Sequence, residues 1–356
     1  MDFQLSDDQR ALRSGMRDLL GAVFDRDRLR AAVERGGALD RSLWRELGAA
    51  GFFALRLPEE AGGVGLGLPE AVLLFEEAGR ALLPGPLVAT HLAAGLVKGA
   101  AEGEEVVTAV AGDLTVAHLA EADAVLVVGA EPPAGEATGA ESLTGEALRA
   151  FVAAARPVRS MDPLTPLHRA PAVSVRTRAV AERAPAATER TPAHAGRFRF
   201  EAALLTAAEQ LGSAARTTEE AVQHAGSREQ FGSPVGAFQG VKHLCADMLA
   251  RTEPARAAVY AAAVTGDPVE IAAAKLLADE AAVRNARDCL QIHGGMGFTW
   301  EADVHLHLKR AWLRAASWLT GAGAEELLAA DLGAAGRLPR SSAAPGRPVR
   351  EVGGGG

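Results

Sequence analysis

The chain has 356 residues, of which 48% are apolar but only 4% aromatic, and its formal net charge is −8. This length allows two or three domains, and the alanine-rich, aromatic-poor composition favours close-packed helices over β-sandwiches. The negative charge argues against a nucleic-acid-binding protein, which normally presents a basic face. With only Cys245 and Cys289, neither a disulfide framework nor a cysteine-rich zinc site is indicated.

The opening segment, MDFQLSDDQR, is acidic and lacks the basic-then-apolar pattern of a signal peptide. Uninterrupted apolar runs fall well short of the roughly 18 residues of a transmembrane helix. We therefore expect a soluble, cytoplasmic protein.

Residues 1–103 are predicted to form a helical domain. Ser6 and Gln9 have the spacing of a capping box at the start of a first helix, and a second helix carries Trp44. The run GGVGLG then leads to a helix with Pro69 in its first turn. No strand of a βαβ unit precedes these glycines, so they predict a turn rather than a dinucleotide-binding loop.

Residues 104–196 are predicted to form a shortened, β-rich middle domain. Four β-branched runs between turns indicate its strands, EEVVTAVAG, LTVAH, DAVLVVG and APAVSVRTRAV. The stretch between the third and fourth runs is loop-like, with one helical patch. This domain interrupts a chain that is otherwise helical.

Residues 197–334 return to long helical periodicity and predict a C-terminal helical bundle. Its clearest apolar stripes are Leu204, Leu205, Ala208, Leu211 and Ala215, and Leu276, Ala282, Ala286 and Leu290. Residues 335–356 are rich in Pro, Gly, Arg and Ser and are predicted to be a disordered tail. The fold class is therefore α+β and multidomain: an N-terminal helical domain, a β-rich middle domain and a C-terminal bundle of four-helix type.

Two segments carry residues suited to chemistry: SREQFGSPVGAFQGVKHLCADM, residues 227–248, and QIHGGMGFTWEADVHLHLKRA, residues 291–311. Arg228 offers a planar guanidinium that suits bidentate contact with a diphosphate. Gly294 and Gly295 let backbone N–H groups approach a phosphate closely. Gln291 can bond an adenine or a ribose, and Phe231 can form a wall of the site.

Each of these features also has a structural explanation. Arg228 could cap its helix or pair with Glu229 or Glu219, and the glycines could form only a turn between helices. Phe231 and Phe238 could be core residues.

Three histidines, His293, His305 and His307, fall in the second segment, but no carboxylate or cysteine stands at metal-ligand spacing around them. We therefore interpret them as structural or adjacent to a cofactor, and predict no metal site.

Together with LPEEAGGVGLGLPEAVLLFEEAGRAL, these two segments resemble the acyl-CoA dehydrogenase family of flavoproteins, along nearly the whole chain to about residue 330. The resemblance implies a tetramer with FAD sites shared between subunits. In such a shared site, the ADP half of a neighbouring subunit's FAD would be contacted by Arg228, Phe231, Gln291, Gly294 and Gly295. The substrate would be an acyl-CoA.

The sequence departs from the family at the catalytic base, a glutamate that usually stands in a Tyr-Glu-Gly-Thr segment. Thr320 occupies the corresponding position here, and its hydroxyl cannot act as that base near neutral pH. In some relatives the base lies on the first helix of the bundle, which corresponds to Ala202, with Glu201 beside it. Glu325 and Glu326 are expected to be solvated helix charges.

The middle domain departs as well. Residues 105–195 contain no tryptophan and no Gly-Ser-Asp run, the features with which the family binds the flavin ring and pyrophosphate in cis.

These losses resemble the degenerate smaller subunit of heterotetrameric acyl-CoA dehydrogenases in actinobacterial steroid catabolism. The expected function is α,β-desaturation of a bulky acyl-CoA, such as a sterol side-chain thioester, in an α₂β₂ flavoenzyme. A dissimilar subunit would supply the base, and neither nucleic acid nor membrane would be a partner. Two alternatives remain open: a homo-oligomeric dehydrogenase with a base such as Glu201, and an FAD-free scaffold.

Overall fold

The computed structural model describes residues 4–111, 114–128, 141–170 and 193–335. The helices are α1 Asp7–Val23, α2 Arg26–Glu34, α3 Arg41–Ala49, α4 Leu68–Arg80, α5 Leu87–Ala93, α6 Gly145–Ala154, α7 Ala193–Ser227, α8 Gln239–Thr265, α9 Pro268–His293, α10 Val304–Ala315 and α11 Gly321–Ala335. The strands are β1 Val107–Val110, β2 Thr115–Ala117, β3 Ala124–Val127, β4 Glu141–Leu143, β5 Arg156–Val158, β6 Leu167–Arg169, β7 Glu229–Gln230 and β8 Ser233–Pro234.

The N-terminal region is helical from α1 to α5, as predicted. Ser6 caps α1 in a complete capping box, because its hydroxyl accepts from the Gln9 amide while the Gln9 side chain accepts from the Ser6 amide. Pro69 stands in the first turn of α4, where no intrahelical N–H is needed. The sequence patterns did not predict α2, a short charged helix that buries Leu29, Ala32 and Val33.

The middle region forms two small sheets. In one, β1 pairs in parallel with β3, and β3 pairs antiparallel with β4; in the other, β6 lies between β2 and β5. The three β-branched runs before residue 130 became β1, β2 and β3, and the helical patch became α6. The fourth predicted strand, APAVSVRTRAV, lies outside the described residues except for Ala170.

The C-terminal region is built on α7, α8 and α9, with α10 and α11 packed against them. The five residues of the predicted α7 stripe are all buried. Where α7 crosses α4, a Cβ at Gly212 would lie 1.8 Å from the Glu76 carbonyl oxygen, and one at Gly79 would lie 2.0 Å from that of Glu209. Only glycine fits these two positions, so the helices can approach backbone to backbone.

One hydrophobic core connects the two helical regions, since residues of α3 and α4 share a cluster with residues of α7 and α9. The same cluster includes Val107 of β1 and Leu126 of β3 from the middle region, and the Asp162 carboxylate of that region accepts from Arg310 Nε of α10 at 2.8 Å. Within the described residues, no helix is long and apolar enough to cross a membrane. The predicted domain boundaries and the disordered tail remain predictions, and residues 336–356 lie outside the described residues.

Candidate functional site

The glycine-rich turn forms a 3-10 helix, Gly294–Phe298, directly after α9. Gly294 has φ +60° and ψ −142°, a conformation that side chains rarely adopt. At Gly297 a Cβ would meet the Leu290 carbonyl oxygen at 2.9 Å. Gly295 differs, because its φ is not in the left-handed region and a Cβ there would have no atom within 4 Å. The described fold therefore does not require glycine at residue 295.

Stacked histidines bring the end of α7 to this turn. The rings of His224 in α7 and His293 at the end of α9 lie 4.1 Å apart. Arg228 is the first residue after α7, and its amide donates to the His224 carbonyl at 2.8 Å. Burial lowers the pKa of His224, and the positive charge of Arg228 lowers it further. The structure thus places Arg228 close to the residues that precede Gly294 and Gly295.

The Arg228 side chain makes no hydrogen bond or ion pair with the described residues. Of the two carboxylates considered as its partners, Glu219 is bound by Arg80 of α4 instead. A guanidinium left this exposed has all five of its N–H donors available to a ligand.

Phe231 lies at the tip of the β7–β8 hairpin, with φ +54° and 93% of its surface exposed. It packs edge-to-face on Phe238, with ring centroids 6.2 Å apart, and Phe238 is also exposed. The interpretation of both as core residues is wrong, because the hairpin extends past the end of α7 and no described element covers it. Gln291 is likewise exposed, on the last turn of α9.

The three histidines of the second segment have separate roles. His293 Nδ1 lies 2.8 Å from the Cys289 carbonyl, and His305 stacks on Trp300 with ring centroids 4.9 Å apart. His307 Nδ1 lies 2.8 Å from Ser213 Oγ, and burial lowers the pKa of His307 to about 3. No group of three potential metal ligands occurs among the residues that the structure describes.

A cavity of about 370 Å³ lies away from the turn, where the start of α5, strands of both middle sheets, α7 and the end of α10 meet. Thr320, at the position expected for the base, stands on its wall. The Thr320 hydroxyl accepts from the Gly323 amide at 3.3 Å and so caps the start of α11. Glu325 and Glu326 are exposed on α11.

Glu201 does not line this cavity. Its carboxylate accepts from Arg56 at 2.8 and 3.2 Å and from Arg197 at 2.7 Å. Burial alone would raise the pKa of Glu201, but the hydrogen bonds and charges of the two arginines lower it overall. A carboxylate held in this way is a weak base, which argues against Glu201 as the proton acceptor.

The cavity carries four charged residues that the sequence reasoning missed: Arg199, Glu209, Arg310 and Arg314. Arg314 Nη2 donates to Glu209 at 2.6 Å, and both side chains are nearly inaccessible to solvent. A signal existed, since Glu209 interrupts the apolar stripe of α7, and Arg310 and Arg314 stand four residues apart on one face of α10.

Two family models match the sequence: "Acyl-CoA dehydrogenase, N-terminal domain" over residues 6–103, and "Acyl-CoA dehydrogenase, C-terminal domain" over residues 196–336. Among curated relatives, acyl-CoA dehydrogenase IpdE2 of Mycobacterium tuberculosis is 36% identical over 314 residues, which span 86% of this chain and 91% of the relative. Benzylmalonyl-CoA dehydrogenase of Aromatoleum aromaticum is 27% identical over 376 residues, spanning 92% and 97%.

Solved structures share the fold. A glutaryl-coenzyme A dehydrogenase complex superposes with a TM-score of 0.78 at 19% identity, covering 94% of this chain and 97% of that one. A variant of the Tcur3481-Tcur3483 steroid ACAD gives 0.73 at 23% identity, covering 93% and 99%. The family models, the IpdE2 relative and the shared architecture lead to one conclusion: the chain belongs to the acyl-CoA dehydrogenase family, whose members are oxidoreductases.

Proposed function

We propose that this chain is one subunit of an FAD-dependent acyl-CoA dehydrogenase and supplies the ADP-binding half of a FAD site shared with a dissimilar subunit. The observation that carries this proposal is a contrast between the residues at the glycine-rich turn and the residue at the position of the base. Arg228 and Gly295 are free to serve a ligand, while the position expected for the base holds Thr320.

The residues at the turn fit the ADP half of the cofactor. Arg228 would pair with the diphosphate, and the backbone at Gly294 and Gly295 would approach it without interference from a Cβ. Gln291 would bond the adenosine, and the exposed ring of Phe231 would cover it. FAD, when bound, supplies the acceptor for the hydride that leaves the acyl β-carbon.

Within the described residues, neither Glu201, the candidate base, nor Glu209, the carboxylate that lines the cavity, is free to remove the α-proton. Glu201 is held by Arg56 and Arg197, and Glu209 is held by Arg314. This supports assigning the base, and with it the flavin-ring pocket, to the partner subunit.

The partner would cover the apolar side chains around the turn. Phe231 is almost fully exposed, Phe298 is about three-quarters exposed, and Met296 and Trp300 are about half exposed. Exposed aromatic residues beside an arginine are typical of protein–protein interfaces. We propose an α₂β₂ heterotetramer, located in the cytoplasm.

We further propose that the substrate is a bulky acyl-CoA, such as a sterol side-chain thioester. This part rests on the resemblance carried by the GFTWEADVHLHLKRA segment. Assays of the complex with short-chain, long-chain and steroid-derived acyl-CoA thioesters would test it, and faster turnover of short straight chains would contradict it.

The test of the shared site is flavin content. The chain is purified alone and co-expressed with a candidate partner acyl-CoA dehydrogenase from the same organism, and the flavin absorbance band is recorded. We expect the band, together with dehydrogenase activity, only in the complex. A yellow, active chain on its own would favour the homo-oligomeric alternative, and a colourless complex would favour the scaffold.

Arg228→Ala tests the assignment of the diphosphate contact within a coloured complex. We expect flavin stoichiometry to fall, because one charge-assisted bidentate contact is lost. Arg45→Ala is the matched control, since Arg45 is also exposed and makes no hydrogen bond or ion pair with the described residues. Equal flavin content in the two variants would remove Arg228 from the site.

A further inference from the structure

The glycine-rich turn has few side chains of its own that can hold it in place. It contains Gly294, Gly295 and Gly297, and glycine loses more conformational freedom on folding than any other residue. Its two side chains, those of Met296 and Phe298, are 57% and 77% exposed and so contribute little packing. The conformation of the turn must therefore depend largely on the residues at its two ends.

The first end of the turn continues directly from α9. The Gly294 amide donates to the Gln291 carbonyl, and the ring of His293 stacks on that of His224 in α7. Since α7 and α9 form much of the main hydrophobic core, this end is fixed by the C-terminal region itself.

The segment after the turn is held from a different part of the chain, by two arginines of α2. Arg30 Nη2 donates to the Trp300 carbonyl at 2.6 Å, and Arg26 Nη2 donates to the Glu301 carbonyl at 2.8 Å. The Asp303 carboxylate pairs with both guanidinium groups, at 2.5 Å from Arg26 Nε and 3.3 Å from Arg30 Nη1. Among the described residues beyond the adjoining α9 and α10, only α2 forms hydrogen bonds with the turn or with this segment.

The ring of Trp300 is held as well as its carbonyl. Arg30 Cζ lies 5.8 Å from the ring centroid, and Lys309 Nζ of α10 lies 4.6 Å from it. A cation near the face of an aromatic ring is attracted by the ring quadrupole. Arg30 therefore contacts Trp300 twice, only two residues after the turn ends at Phe298.

The two arginines differ in burial. The Arg30 and Asp303 side chains are each 19% exposed, so solvent and salt screen their attraction less than that of a surface pair. Arg26 is 62% exposed, and an exposed pair contributes less. Arg30 is therefore the main contact, and Arg26, one helical turn earlier on the same face, supports it.

We propose that Arg30, supported by Arg26, is a positioning residue for the glycine-rich turn. By fixing the segment after the turn, it holds the backbone N–H groups of the turn ready for the diphosphate of FAD. A site that is ordered in advance binds more tightly, because ordering the turn no longer opposes binding. The inference rests on the proposed function, since it takes FAD as the ligand of the turn.

Hydrogen–deuterium exchange of the full chain alone tests whether α2 holds the turn. In Arg30→Gln, we expect the amides of residues 294–299 to exchange at least about threefold faster, because local opening becomes easier. Arg41→Gln is the matched control. Arg41 of α3 pairs with Asp123 and donates to the Glu121 carbonyl, the same pattern of contacts that Arg26 makes, but in the middle region. This control should leave exchange of the turn unchanged.

Titration of the flavin-depleted complex with FAD tests the consequence for binding. Arg30→Gln should raise the dissociation constant for FAD by about three- to tenfold, and Arg26→Gln by about twofold. Arg30→Lys, which keeps a positive charge for Asp303, should recover part of the loss. Arg41→Gln should bind FAD as the wild type does, although it loses an ion pair of the same kind.

Unchanged exchange of the turn in Arg30→Gln would overturn the proposal, and so would faster exchange with unchanged FAD affinity. An equal loss of FAD affinity in Arg41→Gln would also overturn it, since the effect would then be general destabilisation. A wild-type complex that binds no FAD would overturn the proposed function and FAD as the ligand. The exchange measurement decides separately whether α2 holds the turn, so the two failures are distinguishable.

Discussion

At the scale of single residues, the glycines of the turn look alike in the sequence, but the physical reason for glycine differs from one position to the next. Gly294 is needed for its backbone conformation, and Gly297 is needed because the Leu290 carbonyl lies too close for a Cβ. Gly295 has neither constraint within the described fold. A glycine that its own chain does not require is the one most open to explanation by an approaching ligand.

Gly295→Ala is therefore expected to leave the melting temperature of the chain unchanged and to reduce flavin retention in the complex. Thermal unfolding and flavin absorbance measure the two effects. Gly21→Ala is the control, since Gly21 lies inside α1 with no atom within 4 Å of an added Cβ. It should stabilise the chain by up to about 1 kcal/mol and leave flavin unaffected. Full flavin retention in Gly295→Ala would mean that no ligand approaches this backbone.

Glu201 gives a second expectation at this scale. Glu201→Gln should change the turnover rate of the complex by no more than about twofold. The Glu201 carboxylate forms ion pairs with Arg56 and Arg197 and takes no part in the reaction. Loss of the pairs should cost on the order of 1–2 kcal/mol of stability, between the values for surface and buried pairs. Glu325→Gln, at an exposed position of α11, is the control. A fall in turnover of about a hundredfold or more would identify Glu201 as a catalytic base.

At the scale of elements, α10 ties the parts of the chain together. Arg310 binds Asp162 of the middle region and the Leu82 and Leu83 carbonyls after α4, and Arg314 binds Glu209 of α7. Arg310 alone thus anchors α10 to the other two regions, while Arg314 anchors it to α7 of its own region. Replacing either partner leaves a buried charge unpaired, which is costlier than losing the pair as a whole.

Asp162→Asn should accordingly lower the free energy of unfolding by about 3–5 kcal/mol at neutral pH, measured by urea denaturation. Burial acts to raise the pKa of Asp162, but the charge of Arg310 and the hydrogen bonds from Thr165, Arg310 and Leu164 lower it overall. A lowered folded-state pKa means that the stabilisation is present above the unfolded-state pKa. It is lost as the pH falls through the folded-state value.

The destabilisation caused by Asp162→Asn should therefore shrink as the pH is lowered from about 5 towards the folded-state pKa. Asp331→Asn, at an exposed position of α11, should show no such pH dependence. A difference between wild type and Asp162→Asn that stays constant down to acid unfolding would contradict this role of Asp162.

At the scale of the whole molecule, the sequence predicted those elements of secondary structure that local residue patterns encode. Helical periodicity located the long helices, the Ser6–Gln9 spacing located the start of α1, and β-branched runs located β1, β2 and β3. It did not predict the parallel pairing of β1 with β3 or the glycine contacts between α4 and α7. These join residues far apart in the sequence, and no local pattern specifies the partner.

The candidate site shows the same division. The motifs predicted which residues near the turn could serve a cofactor, and the structure leaves Arg228 free there. The cavity with Glu209, Arg310 and Arg314 was not foreseen, because it exists only where three regions of the chain meet. The exposure of Phe231 and Phe238 was misjudged, since an aromatic residue on a hairpin looks the same in sequence whether or not another element covers it.

A last expectation concerns assembly. Phe231→Ser is expected to weaken binding of the partner subunit by tenfold or more, about 1.4 kcal/mol or greater, because exposed aromatic anchors dominate interface energetics. The melting temperature of the isolated chain should not fall, since Phe231 contributes little to its core. Leu332→Ser, at an exposed apolar position on α11, is the control for analytical ultracentrifugation of the complex. Unchanged assembly would place the partner elsewhere.

The length of α7 limits which kinds of mutation this chain can tolerate. Glu209 at the cavity and Ser227 beside the turn stand on one 35-residue helix, about 27 Å apart at about 1.5 Å per residue. The helix fixes both the distance and the angle between the two sites. One inserted residue between them would turn one site by about 100° relative to the other and lengthen the gap. Point substitutions along this stretch are therefore far more tolerable than insertions or deletions, whose lengths would need to approximate whole helical turns.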